Sequence, residues 1–296
     1  MDKQKIIQAG RIAKQVKEYA RTIVKKDTHL LDIAEKIESK IIELGGKPAF
    51  PVNLSIDNIA AHYTPFPEDK TLAHGLLKVD FGVHIDGWVA DNAFSIDLEN
   101  SEENKKLIRA SSDALKNAIE LIKKNKSKTT TSQIGKIIEE TIESQKFSPI
   151  INLSGHSMEE YDLHAGITIP NIDDKKEIEL KKGIYAIEPF ASTGVGKVHD
   201  GKPSGIYSLV NEKTPRSQTA REILEFIQEE YQTLPFCSRW IVKKFNSRGL
   251  IGLRQLEENG NLHNYPELVE SSDAKVSQAE NTILIDDKNE VIVTTD

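Results

Sequence analysis

The sequence is poor in several things at once. It holds one cysteine, Cys237, in 296 residues. No internal disulfide can form, so a secreted, disulfide-stapled scaffold is excluded. No apolar run reaches the ~18 residues of a membrane span. Cations are not in excess: 39 Lys and Arg face 46 Asp and Glu, a net charge of −7. A dedicated nucleic-acid binder needs clustered cations, so that class is set aside. The opening Met1-Asp2-Lys3-Gln4-Lys5 lacks the apolar stretch of a signal peptide. The cytosol is the expected compartment, with neither nucleic acid nor membrane as partner. What remains is 38% hydrophobic and 29% charged, the balance of a soluble globular protein of one large domain or two small ones.

Helical periodicity appears first. Residues 4–25 place Ile6, Ile7, Ala9, Ile12, Ala13, Val16, Tyr19, Ala20 and Ile23 on one stripe. Asp27 or Thr28 is positioned to cap a second helix, with Leu30, Leu31, Ile33, Ala34, Ile37, Ile41 and Ile42 inward and Gly45-Gly46 ending it. Residues 76–96 predict strands. Ser101 caps a third helix carrying Leu107, Ile108, Leu115, Ile119 and Ile122, and Thr131 or Ser132 starts a fourth with Ile134, Ile137, Ile138 and Ile142. Strands follow at 150–156 and 183–190. Two helices and strands therefore occur twice, an order that suits a duplicated α/β unit. Residues 214–272 differ, predicting helices near 216–232, 237–247 and 250–258 and no strand of convincing length. Strand character returns from Val276 to Thr295 around the polar turn Asp286-Asp287-Lys288-Asn289. The expectation is a single domain over 1–296 with an inserted helical subdomain at 214–272.

The most informative stretch is Leu76 to Ile96. Asp86-Gly87 is a strong two-residue hairpin signal. With that turn Ile85 faces Trp88 and Gly82 faces Asp91. Asp80, Gly82, His84, Val89, Asp91 and Ala93 then share one face, and Val79, Phe81, Val83, Trp88, Ala90 and Phe94 share the other. Asp80 and Asp91 become diagonal neighbours, ~7–8 Å apart at Cα, close enough to reach shared ions. Two bare carboxylates that close repel, so the pair wants a cation. The plainer reading is a sheet with one solvated polar face, and a one-residue slip would separate the pair.

Other clusters stand alone less well. His156, in Leu153-Ser154-Gly155-His156-Ser157, is expected at a strand end. A lone histidine there, or His164 in Leu163-His164-Ala165-Gly166-Ile167, is more often structural than a ligand. Glu188 closes the apolar strand Gly183-Ile184-Tyr185-Ala186-Ile187, and Glu280 lies in Ser277-Gln278-Ala279-Glu280-Asn281-Thr282-Ile283. An acidic residue in such a setting is costly unless paired, metal-bound or capping in solvent.

Taken together, the order Asp80, Asp91, His156, Glu188, Glu280 resembles the five dimetal ligands of methionine aminopeptidases, peptidase family M24. The eleven-residue Asp–Asp offset, Ser-Gly-His, Ala-Ile-Glu-Pro-Phe and Gln-Ala-Glu-Asn-Thr match in context. Ala60-Ala61-His62-Tyr63-Thr64-Pro65 and Leu163-His164-Ala165-Gly166 resemble the type 2 subfamily's two substrate histidines. The helical block resembles that subfamily's insertion before the last ligand. Without a long charged N-terminal extension, the chain is similar to the compact archaeal form.

The resemblance implies the α+β pita-bread fold, two pseudo-symmetric halves around a central antiparallel sheet. It implies two divalent ions, with Asp80 on one, His156 and Glu188 on the other, and Asp91 and Glu280 bridging. Cobalt, manganese, iron and zinc all suit this ligand set. The implied reaction removes the initiator methionine of nascent proteins when the second residue is small, by attack of a dimetal-activated hydroxide on the first peptide bond. Glu188 would shuttle a proton to the leaving amine, His164 would bond the carbonyl or developing oxyanion, and His62 would orient the substrate backbone. Phe50 and Ile167, with His62 and Tyr265 nearby, would form the methionine pocket. Met-initiated peptides and nascent chains are the implied partners, the ribosome is a further one to test, and a monomer is expected. His84 is read as structural.

Two other readings compete. Aminopeptidase P and prolidase share the fold and similar ligands, but usually carry an extra N-terminal domain, and only 79 residues precede Asp80. Proliferation-associated binding proteins on the same fold have lost metal ligands, whereas all five positions are filled here.

Overall fold

The computed structural model describes residues 1–296. Each half of the chain places two helices on a sheet. Helix α1 spans Lys3–Ile23, where the Asp2 side chain accepts from the amides of Gln4 and Lys5. It buries Ile6, Ala9, Ile12, Ala13, Val16 and Ala20. Helix α2 spans Leu30–Glu43 and buries Leu30, Ile33, Ala34, Ile37 and Ile41. Both pack on the hairpin Leu76–Ile85 and Trp88–Asp97, whose inward Val79, Phe81, Val83, Ala90 and Phe94 complete the first core.

In the second half, α3 (Glu102–Asn125) is capped by Ser101, and α4 (Thr131–Ser144) starts in a capping box of Thr130 and Gln133. Their apolar faces meet Tyr185, Ile187, Ile283 and Ile285 in a second core. The sheet beneath runs 291–293, 281–285, 183–187, 154–158, 168–170, antiparallel throughout. This is the α+β pita-bread arrangement that the family resemblance implies, and the repeated element order agrees with it.

The halves are stitched along one seam. Thr282 Oγ1 accepts from the Asp91 amide and donates to the Asp91 carbonyl, both at 2.8 Å. The Glu280 amide donates to the Ala93 carbonyl at 3.0 Å, and Ser95 Oγ bonds Gln278 through both its N–H and its C=O. Fully buried Lys78 donates to the carbonyls of Asp57 and Val276 at 2.8 and 3.0 Å.

Helices α5 (Gln218–Glu230), α6 (Ser238–Phe245) and α7 (Arg248–Glu258) follow the long strand Val198–Leu209 and share a small core.

Three local expectations need correction. The second helix is not capped by Asp27 or Thr28: its N-cap is His29, with no side-chain cap bond. The Leu30 amide is instead satisfied by the Thr71 carbonyl, and Asp27 sits in a turn at φ 64°. The block 214–272 does contain a substantial strand, Leu262–Glu270, paired with Val198–Leu209 and with Ile59–Ala61. His156 does not end a strand. It lies in the middle of Ser154–Met158, paired on one side with Thr168 and on the other with Ala186.

Candidate active site

The hairpin register is the predicted one: Ile85 opposes Trp88, Gly82 opposes Asp91 and Asp80 opposes Ala93. Asp80 and Asp91 therefore point to the face away from the first core. Glycine at 82 is a packing requirement. A Cβ there would lie 2.5 Å from Phe50 Cε1 and 2.9 Å from Ala49 Cβ. The strand pair Ser154–Met158 and Gly183–Ile187 brings His156 and, one residue beyond its end, Glu188 to the same face. Glu280 arrives from the short connection between strands Val276–Gln278 and Asn281–Ile285.

A cavity of about 300 Å³ opens among Phe50, His62, Asp80, Asp91, His156, His164, Ile167, Glu188 and Tyr265. Every residue singled out in the sequence is on that wall except Glu280, which lies behind it at 1% exposure. Ligand atoms of Asp91, His156 and Glu280 all fall within 4.8 Å of one another. Asp80 and Glu188 stand beside this triad in the same cavity but outside that spacing.

The donor set fits a metal centre. Asp80 Oδ1, Asp91 Oδ1, His156 Nδ1 and both Glu280 oxygens are buried without a hydrogen-bond partner, an expensive state unless something positive is shared among them. Burial first, then the neighbouring carboxylates, pushes Asp91, Glu188 and Glu280 well above the ordinary carboxylate range. Burial alone raises Asp80 to about 7. The same burial lowers His156 to about 3, which keeps the imidazole neutral and its lone pair available.

The remaining two histidines flank the cavity. His62 follows strand Ile59–Ala61 at φ 68°, a left-handed conformation that is strained for a residue with a Cβ. Its Nδ1 is 3.1 Å from the Pro266 carbonyl. A carbonyl only accepts, so Nδ1 carries the proton and Nε2 is left as an acceptor. Burial lowers His62 to about 4. Tyr265 meets its ring edge-on at 5.6 Å. His164 opens to solvent at the mouth, its ring centroid 4.5 Å from that of His156.

Two polar residues escaped sequence reasoning. Gln278 Nε2 donates to Glu188 Oε1 at 2.8 Å. Its only signal was its place in the Gln-Ala-Glu stretch. Asn53 sits opposite Asp80 on the neighbouring strand and lines the cavity, its Oδ1 buried and unpartnered. Nothing in its local sequence marks it. His84 shares the face of Asp80 and Asp91 but is engaged in the turn, where Nδ1 accepts from the Gly87 amide at 3.0 Å.

Comparison with known proteins decides the family. The profile of metallopeptidase family M24 matches residues 4–237. The chain belongs to metallopeptidase family M24. Among M24 relatives, the methionine aminopeptidase of Pyrococcus abyssi (strain GE5 / Orsay) is 46% identical over 301 aligned residues, covering 100% of both chains. Among solved structures, a thermophilic Arx1 superposes with a TM-score of 0.83 at 17% identity, over 98% of this chain and 90% of that one. The methionine aminopeptidase of Thermotoga maritima superposes with a TM-score of 0.69 at 21% identity, over 100% and 98%. At those identities the two structures speak for the M24 fold alone.

Proposed function

We infer that this M24 chain is a methionine aminopeptidase, hydrolysing the first peptide bond of a Met-initiated chain when the second residue is small. The observation that carries this reading is the full-length 46% identity to an enzyme of that name. The five acidic and imidazole positions support it. A prolidase-like activity is disfavoured by that same full-length match, and a non-catalytic role by the filled ligand positions. The two substrate histidines and the helices after Leu209 favour the type 2, archaeal form.

We assign Asp80, Asp91, His156, Glu188 and Glu280 to hold two divalent ions. Four carboxylates and one neutral imidazole balance the charge of two dications, and oxygen-rich ligation suits manganese, iron, cobalt or zinc. Ions bound there supply Lewis-acid polarisation of the scissile carbonyl and make water acidic enough to attack at neutral pH.

The side chains supply the rest. Gln278 donates to Oε1 of Glu188 and orients its carboxylate, which, besides holding an ion, would take a proton from the attacking water and pass it to the departing amine. His164, at the mouth, donates an N–H to the carbonyl oxygen on which negative charge grows. His62 Nε2, kept neutral by burial, accepts an N–H of the substrate backbone. Phe50, Ile167 and Tyr265 close around the methionine side chain. We place the enzyme in the cytosol as a monomer acting on nascent chains, with ribosome docking as a further contact to test.

The test is methionine release from Met-Ala-Ser by metal-stripped protein with defined ions added back, with Ala-Pro as comparison substrate. Release that depends on added metal is expected. Cleavage of Ala-Pro with Met-Ala-Ser intact would replace the reading with the prolidase one, and failure to bind metal would leave the binding-protein one.

A further inference from the structure

Helices α5 and α6 lie outside the five ligand segments, yet the chain between and within them touches both histidine-bearing loops. Thr233 Oγ1, in the turn after α5, donates to the Tyr161 carbonyl. Tyr161 is otherwise fixed by the hairpin: its amide donates to the Gly87 carbonyl at 2.9 Å, and its ring covers Gly87 where a Cβ would stand. Three residues on is His164, whose amide bonds Asp162 Oδ1 at 3.1 Å and whose neighbour Ala165 donates to the Ser157 carbonyl at 2.8 Å. The loop of His164 is thus held at one end by the strand of His156 and at the other by the Gly87 turn and Thr233.

The second contact is made by Arg239 in α6. Its Nη1 and Nη2 grip Glu38 of α2 at 2.6 and 2.8 Å, and Trp240 Nε1 adds a bond to Glu38 at 2.9 Å. The guanidinium then reaches past this pair. Nε donates to the Pro65 carbonyl at 3.2 Å, and Nη2 to Thr64 Oγ1 at 3.4 Å. Thr64 Oγ1 in turn donates to the Val52 carbonyl at 2.9 Å. Thr64 is two residues from His62, whose left-handed backbone persists only if its surroundings hold it there. Strand pairing of Ile59–Ala61 holds one side, and the Arg239 fork holds the other.

We propose that Thr233 and Arg239 are positioning residues: the helical segment acts as a two-point clamp, setting His164 through Tyr161 and His62 through Thr64 and Pro65. The proposal rests on the substrate roles given above to His62 and His164. It gives these helices a part in turnover rather than in bulk alone.

The test uses the full-length, metal-loaded protein and double-mutant cycles. Thr233→Val keeps the shape and removes the donor at an exposed position. It is expected to lower kcat on Met-Ala-Ser about fivefold, the worth of a single hydrogen bond, with metal content and melting temperature unchanged and Thr233→Ser restoring the rate. In a His164→Ala background the same change should cost nothing further, while in a His62→Ala background it should still cost about fivefold. Arg239→Met alone strands a buried Glu38 and is paired with Glu38→Gln to keep the fold. That pair should raise KM in wild type and leave it unchanged in His62→Ala. A readout independent of activity is amide exchange, which in Thr233→Val should quicken across 159–166 and nowhere else. Equal losses in all backgrounds, or no loss in wild type, would overturn the clamp. Normal turnover by His164→Ala or His62→Ala alone would refute that histidine's role, and its anchor falls with it.

Discussion

Gly82→Ala is the smallest change that tests how the cavity is built. The new methyl would sit 2.5 Å from Phe50 Cε1, 2.8 Å from Phe50 Cδ1 and 2.9 Å from Ala49 Cβ. Ordinary contact begins near 3.4 Å, so something must move by about 1 Å. Ala49 cannot, because its amide is bonded to the Gly82 carbonyl at 3.0 Å. The Phe50 ring can, and the open space beside it is the cavity. Overpacking of this kind costs about 1–3 kcal/mol, which lowers the melting temperature by about 2–6 °C in a chain of this length. A ring pushed into the proposed methionine pocket removes room worth roughly one methylene, so KM for Met-Ala-Ser should rise about tenfold or more. Asp80 and Asp91 keep their backbone, so metal content by elemental analysis should hold. The assays are thermal melting, steady-state kinetics and metal stoichiometry on the same preparation. A variant as stable as wild type with an unchanged KM would refute both the close packing of Phe50 on Gly82 and the place of Phe50 in the methionine pocket.

His164→Ala should lower kcat by about 10²–10³, the usual cost of losing one donor to a developing oxyanion, with little change in melting temperature; His62→Ala should weigh more on KM. Near-normal kinetics in a destabilised His164→Ala protein would return that residue to a packing role. Asp91→Ala should lose both metal ions and Asp80→Ala mainly one, measured by elemental analysis, and unchanged content in Asp91→Ala would sink the bridging assignment. Burial lowers His84 from 6.5 to about 4, so between those values the unfolded chain binds a proton that the folded chain refuses. Stability from this group is whole above pH 6.5 and is lost as pH falls toward 4. His62, shifted the same way, adds to that loss. His84→Gln should therefore make the urea midpoint fall less steeply from pH 6.5 to 4, and an identical slope would contradict the burial argument.

The hairpin was the most legible part of the sequence. Asp86-Gly87 sets the turn, and the period of two then places Asp80 and Asp91 without further information. The first four helices were legible for a similar reason, since each buries one apolar stripe. Strand Leu262–Glu270 was not. Its sequence has Pro266 at the centre and no alternation of burial, and its pairing with Val198–Leu209 shifts register twice. It is a strand because neighbours on both sides hold it, which no local pattern reports. The cap of α2 escaped for the same reason, since the acceptor for the Leu30 amide comes from Thr71. Within the site, the acidic residues stood out because charge in an apolar context is costly. Asn53 and Gln278 are neutral amides, and only their neighbours in space give them meaning.

The seam between the halves also sets a clock. Asp80 and Glu280 are 200 positions apart in the chain, with Asp91, His156 and Glu188 strung between them. At about 5–20 residues per second, synthesis delivers the last of these side chains some 10–40 s after the first. During that interval the hairpin has no Thr282 to bind and the proposed ligand set lacks Glu280. A chain broken off before residue 280 carries at most four of the five proposed ligand residues. On the proposed ligand set, the metal centre would be completed only when the second half of the chain closes over the first.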